Sequence, residues 1–401
     1  MSSNKNKVMS KKIHTIILYL FTFTLLLECN SVYFVNDRKV SQAVLLSSIL
    51  LLLCLLISCK IKSSLKPIAP FCCFLYIAWA LIMYFNGTGD NGYILKFFGF
   101  LPMVTLYLAF GGFDRFRELL HCLVNLMLFI SCISLFFYLF GTVLKLLPST
   151  NVVYTDWSGT FFPTWYNVYY EAQPFRNCGI YPEAPMFNYT LVIALLSEYF
   201  VMHRNKWKII ILVTTILTST STTGQFVLLA LVFIHVLGKF HNGSLSQQQT
   251  AIIMFICVLT TILLIYVGNT IMEMKSQTSS YEVRLEYINK ALNVFFNNVW
   301  LGSGYGKNLF GSSNSLFVLM ADGGLFMMAF YGYSLLLWPF VQIAKKQYRL
   351  AIMYLLYFCV FSITIILYTE LSLLIIAYPL SRILELKKKV ITAVPFRNHR
   401  A

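Results

Sequence analysis

Charge is scarce in this sequence. Only 11% of its 401 residues are Asp, Glu, Lys or Arg, against about 25% in a soluble globular domain. That shortage excludes a water-soluble multidomain enzyme. Acidic residues are rarer still, 15 against 31 basic ones. Polar stretches of low hydrophobicity are also missing, which excludes a disordered chain. Zinc spacing is absent as well: the ten cysteines form no CxxC or Cys/His arrangement. Most of them (Cys54, Cys72, Cys73, Cys122, Cys132, Cys257, Cys359) fall in apolar runs, where a thiol acts as a small apolar side chain. A structural disulfide is not expected.

What is abundant is apolar and aromatic: 58% hydrophobic residues, with 35 Phe and 25 Tyr, and a mean hydropathy of +0.71. Such a chain has the bilayer as its main solvent. The net charge of +16 would suit nucleic acid only if it clustered on a base-reading or stacking surface. Here the basic residues punctuate apolar runs, so no nucleic-acid partner is expected. The composition implies an integral membrane protein.

A crossing helix needs roughly 20 apolar residues. Such runs predict spans near Ile13–Leu27, Val40–Cys59, Pro67–Phe85, Tyr93–Gly112, Leu119–Leu147 and Ala184–Met202. Others follow near Lys206–Ser219, Gln225–Leu237, Thr250–Gly268, Asn314–Gln342, Leu350–Tyr368 and Leu371–Leu386. The expected fold is an all-α polytopic membrane protein, a single domain of about 12 transmembrane helices with two larger outer loops. The pair flanking Thr220-Ser221-Thr222-Thr223-Gly224 is short, so Lys206–Leu237 is either two crossings or a re-entrant hairpin.

Orientation follows from Lys and Arg. With the amino terminus in the cytoplasm, inner segments carry 21 of them and outer segments 7. Both termini are then cytoplasmic. The first apolar run follows a basic stretch as in a signal peptide, but Glu28-Cys29-Asn30 is a poor cleavage site, so it is expected to be retained.

Two outer loops are long, Pro148–Glu183 and Asn269–Ser313, and loops of that length are usually functional or disordered. The first holds Tyr154, Trp157, Phe161, Phe162, Trp165, Tyr166, Tyr169 and Tyr170, too aromatic for disorder. Aromatic faces stack on sugars, while the plainer alternative is a belt at the headgroup level. In the second, Val283, Leu285, Ile288, Ala291, Leu292 and Phe295 recur at helical spacing, which predicts an amphipathic interfacial helix. The outer arginines are Arg38, Arg176 and Arg284, and two lie in these loops. A guanidinium fork matches phosphate oxygens, so two facing one cavity would suit a diphosphate.

Each candidate has a plainer reading. Arg176 could pair with Glu171 or Glu183, or sit among lipid phosphates. Arg284 could be a solvated helix residue paired with Glu282 or Glu286. Glu183, just before a span, meets the positive end of a helix dipole, or else acts as base or orients an acceptor. Asp322 lies inside an apolar span and should face a cavity or a partner. Asn314 either caps its helix or holds a sugar hydroxyl. Gly302, Gly304 and Gly306 read as a turn, because no strand precedes them and no Walker Lys-Ser/Thr follows.

The stretch Arg176-Asn177-Cys178-Gly179-Ile180-Tyr181-Pro182-Glu183-Ala184-Pro185 resembles the R-x-x-G-x-x-x-E-x-P pattern of bacterial Wzy-type O-antigen and capsular polysaccharide polymerases. Ser219-Thr220-Ser221-Thr222-Thr223-Gly224 is similar to that family's Ser/Thr-Gly hinge between two helices. Arg284, then Leu301-Gly302-Ser303-Gly304-Tyr305-Gly306, Asn314-Ser315-Leu316 and Asp322-Gly323-Gly324-Leu325 follow the order of its second outer loop. One departure is that many members, and the related O-antigen ligases, have His-Asn where this chain has Ser313-Asn314. That leans the resemblance toward polymerase over ligase.

The resemblance implies a glycosyltransferase at the outer face of a bacterial cytoplasmic membrane. A growing glycan on undecaprenyl diphosphate would be moved onto a lipid-linked repeat unit, with a flippase and a chain-length regulator as partners and no cofactor. Arg176, Arg284 and Glu183 are the candidate catalytic residues; Asn314, Tyr181, Tyr305 and Asp322 are the candidate substrate-binding residues. No metal site is expected, since the outer carboxylates are scattered. The competing class is a flippase or secondary carrier, which should show internal repeats and interrupted helices with polar groups in both halves.

Overall fold

Ser2–Glu28 forms one continuous helix, α1, whose apolar residues Phe21, Leu25 and Leu26 are fully buried. The computed structural model to which it belongs describes residues 2–58, 80, 83–87, 91–155, 159–241, 279–308 and 314–392. The expected span Thr250–Gly268, and nearly all of Pro67–Phe85, lie outside the described residues. Ser31 caps the short α2 (Val32–Asn36) by accepting from the Phe34 amide. Asp37 then starts α3 (Arg38–Ile57) by accepting from the amides of Lys39 and Val40.

A short helical turn, Asn91–Ile94, and a π-helical stretch, Leu95–Phe100, lead into α4 (Leu101–Phe137), which ends in a second π-helical stretch, Tyr138–Val143. Gly112, at φ 70 and ψ −149, breaks α4 in its middle. Contacts with α1 show that the chain reverses there. Lys96 pairs with Glu28 near the end of α1, Arg115 meets His14 near its start, and the Asn125 amide returns to the Tyr19 hydroxyl (2.8 Å). The expected break between Tyr93–Gly112 and Leu119–Leu147 therefore falls at a glycine in the left-handed region, where a side chain would be strained.

The first long loop departs from the all-α expectation. Asn151–Thr155 (β1), Thr160–Trp165 (β2) and Tyr169–Tyr170 (β3) form an antiparallel sheet in the order β1-β2-β3. Tyr166 and Asn167, at φ 50 and 55, make the tight turn from β2 to β3, closed by the Val168 amide on the Trp165 carbonyl (3.1 Å). The sheet divides the aromatics between buried and exposed positions. Trp165, Tyr169 and Tyr170 are buried, Trp165 against Gly141, whereas Tyr154, Phe161 and Tyr166 are exposed. Neighbouring residues Tyr169 and Tyr170 are both buried, so no period-two pattern marks this strand.

Ala184–Phe200 (α5), Lys206–Ser219 (α6) and Thr222–His241 (α7) follow, with a single turn between α6 and α7. Ser279–Asn297 forms α8, as the helical spacing predicts. Ser315–Gly332 (α9) passes through a π-helical stretch, Tyr333–Leu337, into Trp338–Ala344 (α10); Tyr348–Ile363 (α11) and Glu370–Thr392 (α12) complete the bundle. α12 packs along α4, where the Phe116 and Tyr378 rings stack with centroids 4.1 Å apart.

Three described helical stretches are long and apolar enough to cross a membrane: Arg38–Ile57, Gly92–Val143 and Ser315–Ala344. The chain is thus a mostly helical protein with candidate membrane-spanning helices. Its contacts define two ends. At the loop end lie Glu28, Lys96, Ser134, the 176–183 segment and the 302–308 turn; at the opposite, basic end lie His14, Arg115, Arg117, His203, Arg204 and Arg349.

Candidate functional site

The 176–183 segment is pinned at both of its ends. Asn177 donates from its main chain to the Thr218 carbonyl (3.0 Å) and from its side chain to Thr218 Oγ1 (3.1 Å) and Ser134 Oγ (3.3 Å). The Val32 amide donates to the Ile180 carbonyl (2.9 Å), and the buried Tyr181 hydroxyl to the Leu26 carbonyl (3.0 Å). Burial pushes the Cys178 thiol up to about 12, so it stays protonated and unreactive. Tyr181 is thus a packing residue beneath the segment, not a side chain open to substrate.

This pinning delivers Arg176 to the turn between α6 and α7. Its Nε donates to the Ser219 carbonyl (3.2 Å) and Thr220 Oγ1 (3.0 Å), its Nη1 to Gln173 Oε1 (2.8 Å) and its Nη2 to the Thr220 carbonyl (3.4 Å). The two sequence motifs, more than 40 residues apart, thereby form one contact. Thr220, at φ 50, ends α6, and Asn188 Nδ2 on Ser219 Oγ (2.9 Å) ties the turn to α5. A Cβ at Gly224 would lie 2.2 Å from the Asn188 amide, which explains the glycine. Neutral oxygens hold the guanidinium. Among the described residues no carboxylate lies within 4.0 Å of it, so neither expected partner, Glu171 or Glu183, forms an ion pair there. Its positive charge is oriented by neutral oxygens alone among the described residues, an arrangement suited to receive an anion.

Glu183 occupies the N-cap position of α5, half-buried, with extended backbone at φ −140 and ψ 142. Its side chain makes no capping hydrogen bond. The carboxylate therefore does not serve as the cap of α5.

The second constellation is an interrupted helix and the turn that completes it. Gly324, at φ 57 and ψ −155, breaks α9 two residues after Asp322. The broken backbone is satisfied by the preceding turn. Ser303 and Gly304 amides donate to the Ala321 and Asp322 carbonyls (2.9 and 3.1 Å), and Leu325 and Phe326 amides to the Val299 and Trp300 carbonyls (2.8 and 3.1 Å). Irregular backbone is tolerated inside a membrane protein only when such partners exist. The Asp322 carboxylate, fully buried, accepts from the Gly306 amide (2.8 Å), the Tyr368 hydroxyl (2.6 Å), the Asn308 amide (3.1 Å) and Asn308 Nδ2 (2.6 Å). Asp322 found a partner, as an ionisable group in a span must. It holds the turn, and a direct substrate contact is not what its hydrogen bonds serve.

Asn314 caps α9, its side chain accepting from the Leu316 amide (2.8 Å). Tyr305 is fully buried beside Phe97, ring centroids 5.4 Å apart. Arg284 lies in α8, and its side chain, like Ser313, lies outside the described residues. The expected meeting of Arg176 and Arg284 therefore involves a side chain outside the described residues. Among the described residues no group of three His, Cys, Asp or Glu is placed to hold a metal ion.

Sequence reasoning missed a buried charged cluster that links the two constellations. Lys96 Nζ pairs with Glu28 Oε1 and donates to the Tyr368 carbonyl (3.0 Å). Glu28 Oε2 accepts from the Glu370 amide (2.6 Å), and Glu370 Oε1 from Ser48 Oγ (2.7 Å). All three ionisable groups are at most 8% exposed. The signal was available: each charge interrupts or borders an apolar run, and such residues mark function by default. Through Tyr368 the cluster reaches Asp322, and through the end of α1 it reaches Tyr181. No family model, no curated protein and no solved structure matches the chain.

Proposed function

We propose that the chain is a polysaccharide polymerase: a glycosyltransferase that moves a growing glycan from undecaprenyl diphosphate onto a lipid-linked oligosaccharide repeat unit. The loop end would face outward across a bacterial cytoplasmic membrane, with about 12 spans and both termini inside. A hydroxyl of the acceptor sugar attacks the anomeric carbon of the donor. The bond from that carbon to the diphosphate oxygen breaks, Glu183 orients the hydroxyl and takes its proton, and the lipid diphosphate leaves. No cofactor is needed, because the leaving group already carries its stabilising phosphates.

One observation carries this reading: Arg176 is fixed by neutral oxygens with no carboxylate within 4.0 Å among the described residues. A preorganised cation stabilises charge that develops on a departing group, and Arg284 is the expected second fork. The exposed cross-strand pair Tyr154 and Phe161, ring centroids 5.0 Å apart, supplies an aromatic surface on which a sugar can stack. Substitution of Arg176 by Ala, followed by chain-length analysis of the surface glycan, tests the assignment. Long chains should vanish while single repeat units still reach the surface; normal chain length would refute it.

A secondary carrier is the second reading, favoured by the break in α9 at Gly324 beside a buried ionisable network. The same experiment separates them, since loss of a carrier leaves repeat units on the inner face.

A further inference from the structure

We propose that Arg204 and Arg349, at the basic end of the bundle, form a binding site for the phosphate of an anionic lipid headgroup. Both guanidinium groups converge on one oxygen. Arg204 Nε donates to the Tyr199 carbonyl at 2.9 Å and Arg349 Nη2 donates to the same atom at 3.2 Å. Arg204 adopts φ 57 and lies 4.3 Å from the centre of the Tyr199 ring.

Helix capping explains part of this. Tyr199 is the penultimate residue of α5, so its carbonyl lacks an intrahelical donor, and a cation at that end meets the negative pole of the helix. One arginine suffices for both tasks. The second brings a like charge onto the same atom, where the two repel. Among the described residues no carboxylate lies within 4.0 Å of either group. Glu198, next in the chain to Tyr199, directs Oε1 to the Asn205 amide (2.8 Å). Two exposed planar forks with spare N–H donors and excess positive charge match the oxygens of one phosphate.

The surroundings select a lipid over a soluble anion. Trp207, 75% exposed, lies three residues after Arg204, and Tyr348, 54% exposed, immediately precedes Arg349. Amphipathic rings of this kind belong at the headgroup level of a bilayer.

The full-length chain, embedded in mixed phosphatidylglycerol and phosphatidylcholine bilayers and then extracted, should retain phosphatidylglycerol preferentially by native mass spectrometry. Arg204→Gln and Arg349→Gln should each reduce that retention about tenfold, as expected for one charge-assisted hydrogen bond. Lys345→Gln, an exposed lysine on the same end, should leave it unchanged. Equal retention in wild type and the double Arg204→Gln/Arg349→Gln variant would overturn the proposal, as would an equal loss in Lys345→Gln. Displacement by inorganic phosphate without any preference for phosphatidylglycerol would assign the site to a free anion and overturn the lipid assignment. If the glutamine variants fail to fold, Arg204→Lys and Arg349→Lys keep the charge but lose the fork. Retention should still fall several-fold, and unchanged retention refutes the site.

Discussion

Gly302 and Gly324 lie back to back, and neither leaves room for a Cβ. One built on Gly324 would sit 2.7 Å from the Gly302 nitrogen and 2.5 Å from the Val299 carbonyl oxygen, and one on Gly302 would sit 2.3 Å from the Asp322 carbonyl carbon. Both glycines have positive φ, 66 and 57. Gly302→Ala or Gly324→Ala should therefore cost at least the roughly 1–2 kcal/mol of left-handed backbone and push the turn off the helix break. Thermal unfolding of the detergent-solubilised protein should show a lowered midpoint for either variant. Gly332→Ala, with nothing within 4 Å of its added Cβ, should behave as wild type.

The buried pair Glu28 and Lys96 invites a double-mutant cycle. Lys96→Met leaves two buried carboxylates, Glu28 and Glu370, with no ammonium beside them. Removal of one partner from a buried pair costs about 3–5 kcal/mol. Glu28→Gln together with Lys96→Met should recover much of that loss, because the pair itself contributes little beyond compensating its own desolvation. If the two single losses simply add, the pair is not coupled and its role as a link between the loop segments is refuted.

Arg176→Lys discriminates between charge and geometry at the proposed donor site. A lysine keeps the positive charge but has no planar fork. It cannot bond Gln173 Oε1, the Ser219 carbonyl and Thr220 together as Arg176 does. Glycan chain length in this variant should collapse nearly as far as in Arg176→Ala, with at least a tenfold slower extension. Wild-type extension would mean that any cation serves at this position.

How much of this was legible beforehand follows from the range of each interaction. Lys206–Ser219 was read to the residue because both of its limits are local: Asn205 caps one end and the left-handed Thr220 stops the other. The turn at Gly302–Gly306 and the break at Asp322–Gly324 were each visible as glycine-rich spots, but that each completes the other depends on a close approach that no local pattern encodes. Tyr181 was assigned to substrate because it lies inside a motif, although its hydroxyl serves α1. Glu28, Lys96 and Glu370 are separated by more than 340 residues from first to last, so only the packing of α1, the Leu95–Phe100 stretch and α12 brings them together. The sheet is not legible in the sequence because its burial does not alternate: Thr164 and Trp165, and Tyr169 and Tyr170, are buried in succession.

Acidity should steady the sheet that carries the exposed aromatics. Glu171 follows β3, its amide bonded to the Pro163 carbonyl (3.0 Å). Burial pushes its carboxyl above the usual carboxylate range, and Lys145 nearby pulls it only partly back. A carboxyl raised by folding binds its proton more tightly in the native state. Its favourable contribution is therefore complete below the unfolded value and is lost as pH rises through the folded one. The segment around β3 should be most resistant to proteolysis near about pH 4 and less so near about pH 7. Glu171→Gln should remove this slope and resemble the protonated form at every pH. Lys145→Gln should shift the transition to higher pH, because the attraction favouring the carboxylate is gone. A proteolysis profile that is flat in wild type, or equally sloped in Glu171→Gln, would place the titrating group elsewhere.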